Sequence, residues 1–421
     1  MNRYWFAFYQ FLTLLCLPLV LVAAAIHVLF KPERLRPYLQ KFSFVLPEVD
    51  PKTQKRVWIH GVSVGEVVSC GPVIEIFEKS GFSVYLSTST PNGFAVAYRK
   101  YSNVKSFYFP FDYSFMCKRV LKRIGPAAIL LCEVEIWPAF VLTARSHDVP
   151  IYLVSGRLSK TDFRNYRTFR FFFRHVLSLF NGLFMQTDLD EERMNELCNH
   201  KNIKALGSLK FDVGSNYKSC VITRLLPDGF LICAASTHRG EEHHILSAFK
   251  QLSCKYPDIK LAIAPRHLRR VKAIRRMLGR FGIEFTLRSS NKKCTTPVFV
   301  VDSMGELPVV FPRCDLVIMG GSFLKRVGGH NIIEPAQHKK CILCGNEMSE
   351  FEGIFSMFNE EDAVVLTSIE GLFHDLDALI ADRARSDRVG ENAFHLSQKH
   401  RGASQRIYEE VMLGLRQRGN A

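Results

Sequence analysis

The sequence predicts an α/β protein of two parallel-sheet domains behind an N-terminal membrane-anchoring helix. Three observations carry that reading. Residues 4–30 form an apolar run without a formal charge. Short β-rich segments then alternate with helical patterns in two series, as βαβ units do. Between the series stands "GSNYKSCVITRLLPDG", polar and ending in Pro-Asp-Gly, which marks a linker over 214–228. At 421 residues the chain can fill two cores, and 47% hydrophobic content leaves little room for long disorder.

The apolar run exceeds the ~20 residues needed to cross a hydrocarbon core, and only Gln10, Thr13, Pro18 and His27 interrupt it. Tyr4, Trp5 and Tyr9 lie near its outer end, where amphipathic rings favour an interface. Lys31, Arg34, Arg36 and Lys41 follow at once, against Arg3 and the amino group before it. The positive-inside rule then keeps the body of the protein cytoplasmic. A cleaved signal peptide ending at the alanines 23–25 is the rival, but its apolar region would far exceed the usual ~7–15 residues. Pro18 leaves open a kinked, shallow insertion. The expectation is therefore a single-pass or monotopic anchor over 1–30.

The first domain is expected over 31–213. Its strands are "RVWIHGV", "FSVYLSTST", "VKSFYFPF", "AAILLCEVE" and "VPIYLVSGR", with helices from Val67 and in "PNGFAVAYRKY", "SFMCKRVLKRIG" and "WPAFVLTARSHD". The second domain, over 229–396, has strands in "GFLICAAS", "IKLAIAPRH", "IEFTLRS", "PVFVVDS", "CDLVIMGGS" and "KKCILCG". The tail, 397–421, reads as one helix able to pack back on the first domain. In such a hinged pair, ligands occupy the crevice at the carboxyl ends of the strands.

Charge narrows the partners. The net is +16, yet residues 1–225 hold 29 Lys and Arg against 17 Asp and Glu, and the remainder 27 against 23. The first half is built to meet something anionic: nucleic acid, an acidic membrane or a phosphorylated substrate. Arg164, Arg167, Arg170 and Arg174 fall along one side of a single predicted helix, interleaved with Phe and Tyr. Without a nucleic-acid motif, that pattern fits an interfacial helix better. Twelve cysteines are scattered singly through apolar runs, as buried thiols in a reducing compartment would be. Cys341-x-x-Cys344 has no second pair nearby and reads as a buried strand rather than a zinc site.

Candidate chemistry begins at "HGVSVGEVVSCGPVIEIF". It has the strand–turn–helix form of a phosphate cradle, with Gly61 and Gly65 to let the backbone turn and Ser63 to cap. However, Glu66 in the first turn would repel a phosphate. Two roles fit it: complementing the helix dipole, or serving as a general base. Glu133 and Glu135 end the strand "AAILLCEVE", and period-two alternation puts both on one face. They are either a surface pair or functional groups at the strand end. In the second domain, Arg266 and His267 follow a strand, and "DSMGEL" forms a loop. "MGGSFLKRVGGHNIIEPA" leads into a helix expected to start at about Glu334-Pro335, its N-terminus offering N–H groups to a phosphate. Together these favour a nucleotide site. Asp188-x-Asp190 and "STHRGEEHH" are explained without metal, by capping from Thr237 and by first-turn acids.

"HGVSVGE", "CEVEIWP", "SGRLS", "GSLKFD", "STHRGEE", "APRH", "SMGEL" and "GGSFLKRVGGHNIIEPA" occur in this order over most of the chain. This set resembles the Kdo transferases, which attach 3-deoxy-D-manno-octulosonic acid (Kdo) to lipid A precursors. The resemblance implies a GT-B fold with two Rossmann-like domains facing a central cleft. The donor it implies is CMP-Kdo, and the acceptor an anionic, bisphosphorylated lipid A precursor at the cytoplasmic face of the bacterial inner membrane. By motif, Glu66 would be the general base, and Glu133 and Lys210 the transition-state stabilisers, Glu133 being preferred to Glu135. The implied CMP contacts are Arg266, His267, Met304, Gly305, Glu306, Asn331, Ile332, Ile333 and Glu334. Gly61, Val134, Gly156 and the extra Val327 depart from the family pattern, and none removes an ionisable residue. A CMP-sugar has one phosphate and lacks the diphosphate that commonly chelates a divalent ion, so no cofactor or metal is expected. Direct attack by the acceptor hydroxyl would invert the anomeric centre. Nucleic acid is not an expected partner.

Overall fold

The computed structural model describes residues 2–51, 53, 55–214 and 221–419. Part of the predicted linker, 215–220, lies outside them, and Val221–Leu225 forms a short helix. The chain divides into two compact units, Met1–Val213 with Arg401–Ala421, and Gly214–His400.

Unit 1 is built on seven parallel strands: β1 Arg56–His60, β2 Ser83–Thr88, β3 Lys105–Tyr108, β4 Ala128–Cys132, β5 Ile151–Gly156, β6 Gly182–Met185 and β7 Ile203–Ala205. Their order is β3-β2-β1-β4-β5-β6-β7. Alternation along β1 shows why the sheet is covered on both faces. Trp58 points into a cluster with Phe107, Phe109 and Phe140, its indole N–H donating to Ser87 Oγ at 2.7 Å. Val57 and Ile59 point the other way, onto Val67, Ile74 and Phe77.

Strands β6 and β7 extend this sheet beyond the five read from the sequence. "GLFM" is hidden in a long Phe-rich run, and "IKA" is a three-residue, half-buried edge. The arginine-rich segment is two helices, Lys160–Thr168 and Arg170–Leu177, not one, and Phe169 lies at the break. The four arginines therefore do not share a helical side. Arg167 meets Glu196 at 3.4 Å, and Arg170 Nε donates to the carbonyl of Leu197.

The predicted tail helix is also corrected. A helix spanning Arg383–Lys399 belongs to unit 2, and a separate helix, Ala403–Gln417, belongs to unit 1. The break is at Gly402, whose φ of +93° is open to glycine but strained for other residues. Ile407, Val411 and Leu415 of the last helix are fully buried in the cluster that holds Val57 and Ile59. The Asp212 carboxylate fixes its start, accepting from the N–H groups of Gly402 and Ser404 at 2.6 Å each.

Unit 2 has a second parallel sheet: β8 Phe230–Thr237, β9 Ile259–Pro265, β10 Phe285–Leu287, β11 Val298–Val300, β12 Leu316–Met319, β13 Cys341–Cys344 and β14 Val365–Leu366. The order is β10-β11-β9-β8-β12-β13-β14. Cys341 and Cys344 are buried strand residues, as read, and the two-residue β14 was too short to recognise. All eleven described cysteines are free thiols.

Candidate functional site

Open parallel sheets hold ligands where the strand order reverses direction, because loops there diverge to opposite faces. In unit 1 the reversal lies between β1 and β4, the strands that lead into "HGVSVGE" and "CEVEIWP". In unit 2 it lies between β8 and β12, which lead into "STHRGEE" and "MGGSF".

In unit 1, Ser63 caps the helix Val64–Ser69, and Glu66 completes a reciprocal capping box. One Glu66 oxygen accepts from the Val62 N–H at 2.8 Å and the other from Ser63 Oγ at 2.8 Å. A Cβ on Gly61 would come within 3.2 Å of Glu66 Cβ, a tight approach that glycine avoids. Gly65 makes no such demand. It lies in the first turn, and a Cβ there would sit an ordinary 3.8 Å from Ser63 Oγ.

Strand β4 stops at Cys132, one residue short of the carboxylates. Glu133 takes a φ of +57°, and the Glu135 N–H turns back to the Glu133 carbonyl at 3.1 Å. The expected period-two alternation therefore does not extend to these glutamates, and their environments differ. Glu133 Oε1 lies 2.5 Å from Lys210 Nζ. Burial pushes the Glu133 carboxyl up, but Lys210 and Arg157 outweigh it and hold it below the usual range. Glu135 Oε2 accepts from the Trp137 indole N–H at 2.8 Å. Burial, then the charges of Glu66 and Glu133, push it up to about 7.

Lys210 reaches this place from a one-turn helix after β7, Leu209–Phe211. The N–H of Leu209 donates to Ser155 Oγ at the end of β5. Glu66 completes the group. Burial and the Glu133 charge raise its pKa, while the Val62 and Ser63 donors and Lys210 oppose the rise. Environments that drive neighbouring carboxyls apart in acidity mark acid–base sites. Asp190, by contrast, accepts from Thr187 Oγ1 at 2.6 Å and the Leu158 N–H at 2.8 Å, the capping role read for it.

In unit 2, Arg266 and His267 are exposed at the end of β9. Next to them, the imidazoles of His238 and His330 meet Nε2 to Nε2 at 2.8 Å. Burial, then Arg266 and the two neighbouring histidines, holds His330 down to about 3, so it is neutral at physiological pH. A hydrogen bond between two ring nitrogens needs one neutral partner, and His330 supplies it.

The sequence accounts for Glu241 only as a first-turn acid, yet it organises the glycine loop. Its carboxylate accepts from the N–H groups of Gly321 at 2.7 Å, His238 at 2.9 Å and Phe323 at 3.4 Å. The sequence shows only two adjacent acids in "STHRGEE", just after an apolar strand. The residue capping that helix is Gly240, not Thr237, which belongs to β8.

The remaining predicted nucleotide contacts divide. Met304 and Gly305 are exposed on the loop after β11. Glu306 accepts from Arg288 Nε at 2.7 Å and Nη2 at 2.8 Å, and these bonds help to hold it below the usual range against burial. The helix expected at Glu334-Pro335 is one turn, Ile333–Ala336. Asn331 Oδ1 accepts its first N–H, from Ile333, and Asn331 Nδ2 donates to Glu334. Ile332 and Ile333 are fully buried, so they face the core. A single turn has little dipole, and its first N–H is already taken by Asn331. Arg266 and Arg326 are exposed cations beside the histidines.

Residues 36–213, which hold Glu66, Glu133 and Lys210, match the family described as 3-deoxy-D-manno-octulosonic-acid transferase (kdotransferase). The Haemophilus influenzae 3-deoxy-D-manno-octulosonic acid transferase is 27% identical over 96% of this chain and 97% of its own length. Over 36–213 the chain is thus similar to the Kdo transferase family, and along nearly its whole length it is similar to this relative. The Bordetella pertussis member is 27% identical over 84% of this chain and 86% of its own. The fold is of the GT-B type. The UDP-GlcNAc 2-epimerase of Neisseria meningitidis superposes with a TM-score of 0.61 at 14% identity, over 85% of this chain and 100% of that one.

Proposed function

We propose that the protein transfers Kdo from CMP-Kdo to a lipid A precursor, lipid IVA, with inversion at the anomeric carbon. The observation that carries this reading is the grouping of Glu66, Glu133 and Lys210 at the β1/β4 reversal. A sugar hydroxyl is a weak nucleophile near neutral pH, so a carboxylate must take its proton as the new bond forms. A positioned base contributes roughly 10²–10⁴-fold. Glu66 suits that role, because burial makes it a stronger base than an exposed glutamate. Glu133 stays ionised beside Lys210, and the pair presents a fixed dipole to charge developing in the transition state. The leaving group, CMP, departs as an anion and needs no general acid of the kind a glycosidase uses.

In unit 2, Arg266 and His267 would hold the CMP phosphate, and Met304, Gly305 and Asn331 would line the nucleoside. The neutral His238–His330 pair, one N–H of which joins the two rings, leaves one N–H to donate without adding charge. The proposed reaction uses no metal, since a single phosphate offers no diphosphate chelate. The net +12 of residues 1–225 suits a bisphosphorylated acceptor at the cytoplasmic face of the inner membrane.

The test is incubation of the purified full chain with CMP-Kdo and tetraacylated lipid A precursor, following CMP release and the mass of the lipid. Kdo-extended lipid, formed also in EDTA and inhibited by CMP but not UDP, is expected. Absence of extension across pH and detergent conditions overturns the reading. Inhibition by UDP rather than CMP would point to a nucleoside-diphosphate sugar donor.

A further inference from the structure

The N-terminal helix, Asn2–Phe30, is the one helix among the described residues long and apolar enough to cross a membrane. Its packing argues for a different placement. The covered residues recur every three or four positions, at Tyr9, Thr13, Leu17, Val20, Ala24 and His27, and so share one side. That side rests on unit 1 for most of the helix. Trp5 lies 5.0 Å from Phe171, ring to ring, and the Tyr9 hydroxyl donates to Asp112 Oδ2 at 2.7 Å. Leu17, Val20 and Ala24 pack in a cluster with Phe42, Tyr113 and Met116. His27 Nδ1 meets the Tyr38 hydroxyl at 2.9 Å.

Length decides what this means. From Trp5 to His27 the helix covers roughly 33 Å at 1.5 Å per residue, about the ~30 Å thickness of a hydrocarbon core. A helix crossing the bilayer would have to leave unit 1 along that whole length or pull the docked surface into lipid. Departure would strip Tyr9, Gln10, Thr13 and His27, the polar residues of the run, of their protein environment and expose them to hydrocarbon. The opposite side is bare and apolar: Phe11, Leu15, Leu19 and Val22 are exposed, Leu19 by 72%. Cations stand at both ends, with Lys31 and Arg36 exposed after the helix, and Arg170 and Arg174 exposed beside Phe171.

We propose that this helix lies in the plane of one leaflet of an anionic bilayer, docked along unit 1, and does not cross. The bare side sinks into the acyl boundary while flanking Lys and Arg meet acidic headgroups, as in interfacial amphipathic helices. The inference does not depend on the reaction assigned above.

Topology is read with two thiols in the full chain held in its membrane. A cysteine tag is added ahead of residue 1, and Cys16→Ser removes the exposed thiol within the helix. The native Cys254, exposed in unit 2, reports the side on which the body lies. An impermeant maleimide is applied to sealed inverted and right-side-out vesicles. Labelling of both thiols in the same preparation is expected, and labelling in opposite preparations overturns the proposal. The bare stripe is tested by flotation on phosphatidylcholine vesicles with and without phosphatidylglycerol. Leu15→Glu with Leu19→Glu should weaken binding by ~10-fold or more and leave thermal unfolding unchanged, since both side chains point away from unit 1. Binding equal to that of the unaltered chain, or binding indifferent to phosphatidylglycerol, would remove the stripe or the anionic leaflet from the proposal.

Discussion

Lys210 Nζ lies 2.5 Å from Glu133 Oε1, although 77 residues separate them in the chain. Two loops at strand ends make the pair. Glu133 leaves β4 through a left-handed residue, and Lys210 sits on a one-turn helix held to β5 by Ser155. Both side chains are less than a quarter exposed, so neither charge is fully solvated and each depends on the other.

Lys210→Met should therefore act on stability and on catalysis together. It leaves Glu133 largely buried with Arg157 as its remaining positive neighbour, at a cost of ~1–3 kcal/mol. Adding Glu133→Gln removes the uncompensated charge and should restore much of the lost Tm. Activity should not return, because the fixed dipole is gone. We expect kcat to stay at least ~100-fold down in both variants. CMP-release kinetics beside thermal melts of the single and double variants provide the check.

The carboxyls predict opposite pH behaviour for rate and stability. A base must be ionised, so kcat/KM should fall as pH drops through the Glu66 pKa, in a limb above the usual carboxylate range. Glu135 affects stability. Its carboxyl is raised to about 7, chiefly by burial and then by Glu66, so the folded state holds that proton more tightly than the unfolded chain. Stability is then lost as pH rises from about 4.5 towards about 7, with the full cost above that. Glu135→Gln should gain up to ~3 kcal/mol over the unaltered protein at about pH 8 and little at about pH 4. Urea unfolding at both pH values measures it, and an equal effect at the two would contradict the assignment.

Two glycines should respond in opposite directions. A Cβ on Gly320 would lie 2.6 Å from the Ser236 carbonyl oxygen and 2.7 Å from Thr237 Cα, both backbone. Gly320→Ala must push β12 away from β8, and should cost ~1–3 kcal/mol and weaken CMP binding. Gly65→Ala meets nothing closer than 3.8 Å and should gain roughly 0.5–1 kcal/mol from helix propensity. Denaturation of the two variants and calorimetric titration with CMP separate these outcomes.

The strands that lead to the sites were legible because a doubly covered parallel strand is a near-continuous apolar run, as in "AAILLC" and "FLICAAS". Glu66 stood out because a carboxylate broke a familiar strand–turn–helix pattern. The pairing of Glu133 rather than Glu135 with Lys210 came from the family resemblance and not from residue pattern, because it depends on the positive φ of Glu133 and on Ser155 fixing a distant turn. Glu241 was missed for a related reason. An acid in a first helical turn explains itself locally, and only the fold brings Gly321 and Phe323 to its oxygens. The two-helix tail was misread because apolar spacing continues on either side of Gly402, and only its backbone conformation shows the break.

That last helix yields the remaining prediction. Ile407, Val411 and Leu415 bury fully against the same cluster as Val57 and Ile59, the strand that delivers Glu66. Each is a one-turn repeat on a single face, and truncating one to Ala should cost ~2–5 kcal/mol. Asp212→Ala is the subtler variant. It removes the acceptor of two N–H groups at the helix start, with an expected cost of ~1–2 kcal/mol. Both losses should fall on unit 1, although the last helix follows unit 2 in sequence. Hydrogen exchange can localise them. Deprotection of β1 and β2 amides in Val411→Ala, with β8 and β9 amides unchanged, is the expected pattern, and uniform deprotection of both sheets would contradict it.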